Sequence, residues 1–463
     1  MKTRFAPSPT GFIHLGNTRT ALFNALLALR DHGTFLLRIE DTDKERSRTE
    51  YFHGLMEDLH WLGLDWQEGP EIGGEHSPYL QSEREDLYND YYHQLSEKGL
   101  TYPCFCSDSA LKLVRKSQIA AGQPPRYTGT CSNLTQEEVQ AKLAAGEKPA
   151  LRFRVPEDAV IEFTDLVRGE QKFFARDIGD FIIRRQDGSP AFFFSNAVDD
   201  SLMQVSHVLR GDDHLSNTPR QMMLMQALGL SEPKYGHISM VVGPDNAPLS
   251  KRHGSRSVKE LRESGYFPGA VVNYLSRLGH SSDDNSYQSL QGLASNFNAE
   301  RLGRAPARYD VDQLHHWQQE ALNTIPDDEL WLWMGEQVHK LVPADKQQEF
   351  VESIRPNILF PDDALHWASI LFGGSLALDE EANAIINEAG SAFFVHAIDA
   401  LAKHGTEYKP LVDEIKELSG AKGKGLFLPL RIALTGQHGG PELAKVLNLM
   451  GQERAQQRFQ DCC

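Results

Sequence analysis

The chain has 463 residues, 40% hydrophobic and 24% charged, which suits about three ordinary globular domains rather than one. No segment approaches the roughly 20 unbroken apolar residues of a membrane span, and MKTRFAPSPTG lacks an apolar core of signal-peptide length, so a cytoplasmic protein with no membrane association is expected. The net charge of −17 argues against sequence-blind nucleic-acid binding, and five cysteines, two of them adjacent at the end, argue against a disulfide framework.

In chain order, KTRFA reads as a short strand and PSPTG as a Pro/Gly loop. Leu22, Ala25, Leu26 and Leu29 then recur at helical spacing, with Gly33 where a C-terminal cap belongs. TFLLRIED reads as a second, buried strand, so the chain opens as a parallel α/β domain. Between about 100 and 190 the pattern changes to a cysteine pair, a Gly/Pro-rich stretch, a charged helix around TQEEVQAKLAAGEK and β-rich LRFRVP; DFIIRRQDGSPAFFF predicts a hairpin about its Asp-Gly. This region is expected to be an insertion, with SLMQVSHVLRG returning to the α/β core and Ser216–Leu228 restarting as a helix with Pro219 in its first turn. From about 310 onward, amphipathic helices follow one another without strand runs.

Two stretches suit phosphate chemistry. In PSPTGFIHLGN, Gly16 at a helix start leaves the backbone open to an anion, and His14 and Asn17 lie about one turn apart. His14 as a plain helix cap is the competing reading. In APLSKRHG, Lys251 and Arg252 form a basic knot suited to a pyrophosphate that gains charge as it leaves, the alternative being a solvated surface cluster.

HLGN with PLSKR resembles the HIGH and KMSKS pair of class I aminoacyl-tRNA synthetases, and RFAPSPTGFIHLGNTRTALFN is closely similar to the glutamyl-tRNA synthetase form. RIEDTD, VLRGDDHLSNTPRQ, GYFPGAVVNYLSRLGH and LFLPLRIALTG extend the likeness in order along nearly the whole chain. It implies an α/β, Rossmann-like catalytic domain split over 1–100 and 190–250, an acceptor-end insertion over 101–189, a stem-contact region over 251–318 and an all-α anticodon-binding region over 319–463.

The implied reaction is ATP-dependent attachment of L-glutamate to the 3′ end of tRNA-Glu through glutamyl-adenylate, with Mg²⁺ accompanying ATP, tRNA-Gln left open as a second acceptor, and a monomer expected. Glutamate activation is expected to need bound tRNA. Carried over residue by residue, Thr10, His14, Gly16, Asn17, Asp213 and Lys251 hold ATP, and His14, Asn17, Lys251 and Arg252 act in the transfer. Arg4, Ala6, Ser8, Glu40, Phe192, Asn196 and Arg210 line the glutamate pocket, Glu40 for the ammonium and Arg210 or Arg4 for the side-chain carboxylate. A catalytically silent tRNA-binding paralogue is the reading from another class; the retained His14, Asn17, Lys251, Arg210 and Glu40 speak against it.

Three positions depart from the family pattern. Pro248 replaces the first lysine of the KMSKS-type loop, Phe192 replaces a tyrosine, and Asp212 replaces a glutamate. Cys104, Cys106 and Cys131 suit a structural Zn²⁺. The fourth ligand is open: Asn133 stands at the histidine position of the family, while Tyr127 resembles the arrangement of the truncated glutamyl-queuosine synthetases, and thiols without metal are the competing reading.

Overall fold

The computed structural model describes residues 1–43, 46–249, 256–374 and 376–463. The chain divides into two units, Met1–Leu261 with Val271–Val311, and Arg262–Ala270 with Asp312–Cys463.

The first unit is built on a parallel sheet of β1 (Lys2–Phe5), β2 (Thr34–Leu37), β3 (His207–Gly211) and β4 (Lys234–Ile238), in the order β2-β1-β3-β4. Helix α1 (Leu15–Arg30) joins β1 to β2, and its apolar face, Leu22, Phe23, Leu26 and Leu27, is buried. Asn24 fastens this helix to β3, donating to the Leu209 carbonyl at 2.9 Å and accepting the Leu209 N–H at 3.3 Å. Because β2 lies on one side of β1 and β3 on the other, the strand order reverses beside β1. In open parallel sheets a ligand crevice opens at that point, outside the carboxyl ends of the strands.

Gly33 serves differently from expectation. The helix closes at Asp31, His32 takes the left-handed conformation (φ 49°), and Gly33 is required because a Cβ there would run into the Met1 carbonyl.

Inserted between β2 and β3 is an antiparallel sheet of Thr101–Cys104, Ala150–Phe153 and Phe181–Arg184. A separate hairpin pairs Val160–Asp165 with Gly169–Phe174. The charged helix Gln136–Ala144 starts on a capping box of Thr135 and Glu138, as the TQEE run implies. The hairpin expected about Asp187-Gly188 is only half formed. Its turn is present, with the Arg185 N–H on the Ser189 carbonyl at 2.8 Å, but AFFF begins the helix Phe192–Leu202 instead of a second strand. Phe194, Ala197, Val198 and Ser201 recur at helical spacing and are buried there, and that burial outweighs the β propensity of the aromatic run.

β3 returns the chain to the sheet, and after a 3₁₀ turn at Asp212–Asn217 the helix expected over Ser216–Leu228 runs from Thr218 to Leu228, with Pro219 in its first turn. In the second unit every regular element among the described residues is helical, around a core that includes Leu330, Phe350, Trp367, Phe394 and Leu430. Trp331 and Trp333 pack there as well, Trp331 on His339 and Trp333 on Phe267. No helix among the described residues is long and apolar enough to cross a membrane.

Candidate active site

A cleft of about 730 Å³ opens at the carboxyl ends of β1 and β3. It is lined by Arg4, Ala6, Ser8, Thr10, His14, Gly16, Asn17, Glu40, Phe192, Asn196, Arg210 and Asp213, so it brings together every expected ATP and glutamate residue among those described. Lys251 and Arg252 lie outside the described residues. The segments flanking them are anchored by the cleft: Leu249 donates to the Val241 carbonyl at 3.1 Å, and Ser257 bridges to His14.

One half of the cleft is built by the start of α1. His14 occupies the N-cap position in extended conformation, but its side chain makes no capping bond and the first turn carries no acidic residue. The helix therefore presents uncapped N–H groups and the positive end of its dipole to the cleft. A Cβ on Gly16 would meet only Val241, at 4.0 Å, so protein packing does not demand glycine there; a side chain would instead occupy cleft space.

The other half is a buried polar cluster. Arg4 comes from β1 and donates from Nε to Asp200 Oδ1 at 3.2 Å. Arg38 is fully buried and donates from Nη1 to Asp200 at 2.7 Å, and from Nη2 to Glu40 Oε1 at 3.3 Å and Asn196 Oδ1 at 3.1 Å. Asp199 continues the cluster, accepting from Arg84 and from the hydroxyl of Tyr88. Burial raises the Glu40 carboxyl above its ordinary value against the pull of Arg38 and Arg4, so an added ammonium would be welcome beside it.

Among the described residues, four buried polar atoms of the cleft lining have no hydrogen-bond partner: Nδ2 of Asn196, Nη1 of Arg210, Nε of Arg19 and Oγ of Ser239. Buried donors are rarely left so, and the Asn196 and Arg210 pair lining a cavity fits an anionic ligand. Phe192 forms one wall and stacks on the ring of His214, centroids 5.1 Å apart. Asp212, the shortened acid, is paired with Arg168 of the insertion.

The sequence reading singled out neither Arg38, Asp200, His214 nor His237, although all four belong to this cluster or its wall. Arg38 had a signal: a charge within the otherwise apolar TFLLRI must be paired if the strand is buried. Asp199 and Asp200 gave a weaker one, two acids in a helix whose neighbours are apolar.

In the insertion, the Sγ atoms of Cys104, Cys106 and Cys131 all lie within 4.8 Å of one another. The Tyr127 hydroxyl lies 3.5 Å from both Cys104 and Cys106, whereas Asn133 is exposed. Burial opposes the Cys104 thiolate, but hydrogen bonds from Tyr127 and Arg152 outweigh it and hold the thiol below its ordinary value. Three sulfurs this close to one another are compatible with a tetrahedral Zn²⁺ site, and the Tyr127 oxygen lies beside two of them. The Arg152 guanidinium lies over the Tyr127 ring, 3.6 Å from its centroid, and would offset part of the negative charge of such a set.

The chain matches known proteins over its whole length. Residues 1–316 match the family described as tRNA synthetases class I (E and Q), catalytic domain, and residues 311–463 match the anticodon binding domain. The chain is 60% identical to glutamate–tRNA ligase 2 of Nitrosococcus oceani over 462 residues, covering 100% of this chain and 98% of that protein. It is 51% identical to glutamate–tRNA ligase 2 of Coxiella burnetii, with 100% of both chains covered. Among solved structures, the glutamate tRNA ligase of Elizabethkingia meningosepticum in complex with its amino acid superposes with a TM-score of 0.89 at 27% identity, over 100% of this chain and 99% of that one. With the whole length matched and the cleft assembled where the sheet reverses, the chain belongs to the glutamate–tRNA ligases, within the class I aminoacyl-tRNA synthetases.

Proposed function

We propose that this ligase joins L-glutamate to the 3′ end of tRNA-Glu in two steps, by way of glutamyl-adenylate, releasing pyrophosphate and then AMP. The observation that carries the amino-acid side of this reading is that two unpartnered donors, Asn196 Nδ2 and Arg210 Nη1, line the same cleft as an acid, Glu40. Glutamate has two carboxylates and one ammonium, and this arrangement complements that charge pattern.

In the first step the α-carboxylate attacks the α-phosphorus of ATP. Glu40 holds the ammonium, Arg210 takes the side-chain carboxylate, and Arg4 and Asn196 complete the pocket. The first turn of α1, with His14 and Asn17, steadies the phosphates as charge builds on the departing pyrophosphate. Lys251 and Arg252 would neutralise that group, and Mg²⁺ accompanying the nucleotide would supply further positive charge there. In the second step the terminal ribose hydroxyl of tRNA attacks the mixed anhydride and AMP leaves. No side-chain nucleophile is needed, since orientation and charge neutralisation supply the rate.

The insertion, 101–189, receives the acceptor end, 251–318 the stem, and 319–463 the anticodon. Zn²⁺ bound by Cys104, Cys106, Cys131 and Tyr127 would cross-link the insertion and has no part in the transfer. The test is tRNA-dependent AMP formation with glutamate, glutamine or aspartate offered singly. Turnover with glutamate alone agrees with the reading, and preferential turnover with glutamine would overturn it.

A further inference from the structure

Asp165 closes one strand of the insertion hairpin, yet its side chain works in the catalytic core. Its Oδ1 accepts the backbone N–H groups of Val167 at 2.9 Å, Arg168 at 2.8 Å and His237 at 3.1 Å. Its Oδ2 meets Nδ1 of His237 at 2.5 Å, and neither side chain has exposed surface. A carboxylate at Nδ1 selects the imidazole tautomer that carries its proton there and leaves Nε2 a bare acceptor. Burial, together with the nearby Arg210 charge, holds the ring below its ordinary pKa and so favours that neutral form.

The bare Nε2 accepts the Nε–H of Arg210 at 3.1 Å and lies 3.0 Å from the Thr218 hydroxyl. Thr218 in turn accepts from Arg210 Nη2 at 2.8 Å. Two of the three guanidinium nitrogens are thus fixed by neutral acceptors, and Nη1 is left without a partner. Among the described residues no carboxylate lies within ion-pair distance of Arg210, although its side chain is almost wholly buried. A protein carboxylate there would neutralise the arginine and blunt its preference for an acid over the corresponding amide. Neutral acceptors orient it and leave its charge for the ligand.

We propose that Asp165 and His237 are positioning residues for amino-acid specificity: the insertion hairpin supplies the carboxylate that sets the His237 tautomer, and His237 holds Arg210 with Nη1 reserved for the side-chain carboxylate of glutamate. This rests on the assignment of the cleft to glutamate. In Asp165→Asn the amide can donate to Nδ1 and move the ring proton to Nε2, where it faces the Arg210 Nε–H. His237→Ala removes the acceptor outright.

Steady-state charging of tRNA with Asp165→Asn, His237→Ala and the double variant tests the relay. Asp165→Asn is expected to raise the KM for glutamate about tenfold, to leave the KM values for ATP and tRNA within about twofold, and to lower the kcat/KM ratio of glutamate over glutamine. The double variant should be no worse than His237→Ala alone, because both act through one imidazole. Thermal melting of each variant separates a folding defect from a pocket defect. A glutamate KM within about twofold of wild type in a folded Asp165→Asn variant would overturn the relay, as would equal losses with glutamate and glutamine. Failure of the wild-type chain to charge any tRNA with glutamate would instead overturn the cleft assignment itself.

Discussion

Arg38 donates from Nη1 to Asp200 at 2.7 Å, and neither side chain has exposed surface. The pair is the hub of the buried polar half of the cleft, because Asp200 also holds Arg4 while Arg38 also holds Glu40 and Asn196. Arg38→Met roughly keeps the volume but takes the buried cation away from Asp200 and Glu40, leaving Asp200 only its longer bond from Arg4. Such a loss costs about 3–5 kcal/mol, and the glutamate KM should rise with it. Urea denaturation measures the first effect; a destabilisation below about 1 kcal/mol would contradict the assignment of Arg38 as the hub.

His14 makes no cap bond, so its replacement should spare the helix and damage only the chemistry. His14→Ala should lower kcat for charging by about 10²–10³ while tRNA affinity stays within about twofold. Filter binding of tRNA alongside charging separates the two, and equal losses in both would contradict a role in phosphate stabilisation.

His214 lies behind Phe192, and burial, with the charges of Arg210 and Arg4, pushes it down from the ordinary 6.5 to about 4 against the pull of Asp213. Across that interval the unfolded chain binds a proton that the folded chain refuses. Stability therefore rises with pH in this window and is lost as pH falls through it. His214→Gln should flatten this part of the stability–pH curve. Melting temperatures from pH 7 to 4 check the prediction, and an unchanged slope in the variant would contradict it.

The purified chain should carry about one zinc, and Cys106→Ser or Cys131→Ser should release it. Tyr127→Phe should weaken retention against a chelator while leaving the three sulfurs in place. Metal content by mass analysis decides this, and full retention in Cys131→Ser would remove the site.

Much of the cleft was legible because its residues sit in short local motifs. The Pro/Gly loop, the helix start with its open glycine and the apolar strands each follow from spacing within about twenty residues, and their order points to a parallel sheet, whereas that His14 makes no cap bond shows only in the structure. Arg38, Asp200 and the relay from Asp165 through His237 to Arg210 were not legible in the same way. Asp165 and His237 are 72 positions apart and meet only because the hairpin folds back on β4. Phe192–Phe194 misled for a related reason: three aromatics read as strand until the burial of Phe194 and Ala197 on one helical face is known.

The central claim, glutamate transfer to tRNA, is met most directly by charging purified tRNA-Glu and tRNA-Gln with labelled glutamate and ATP, omitting each component in turn. The account predicts label on tRNA-Glu that needs ATP, glutamate and tRNA together, with His14→Ala and Arg210→Ala both severely impaired. Label on neither tRNA from the folded wild-type chain would contradict it.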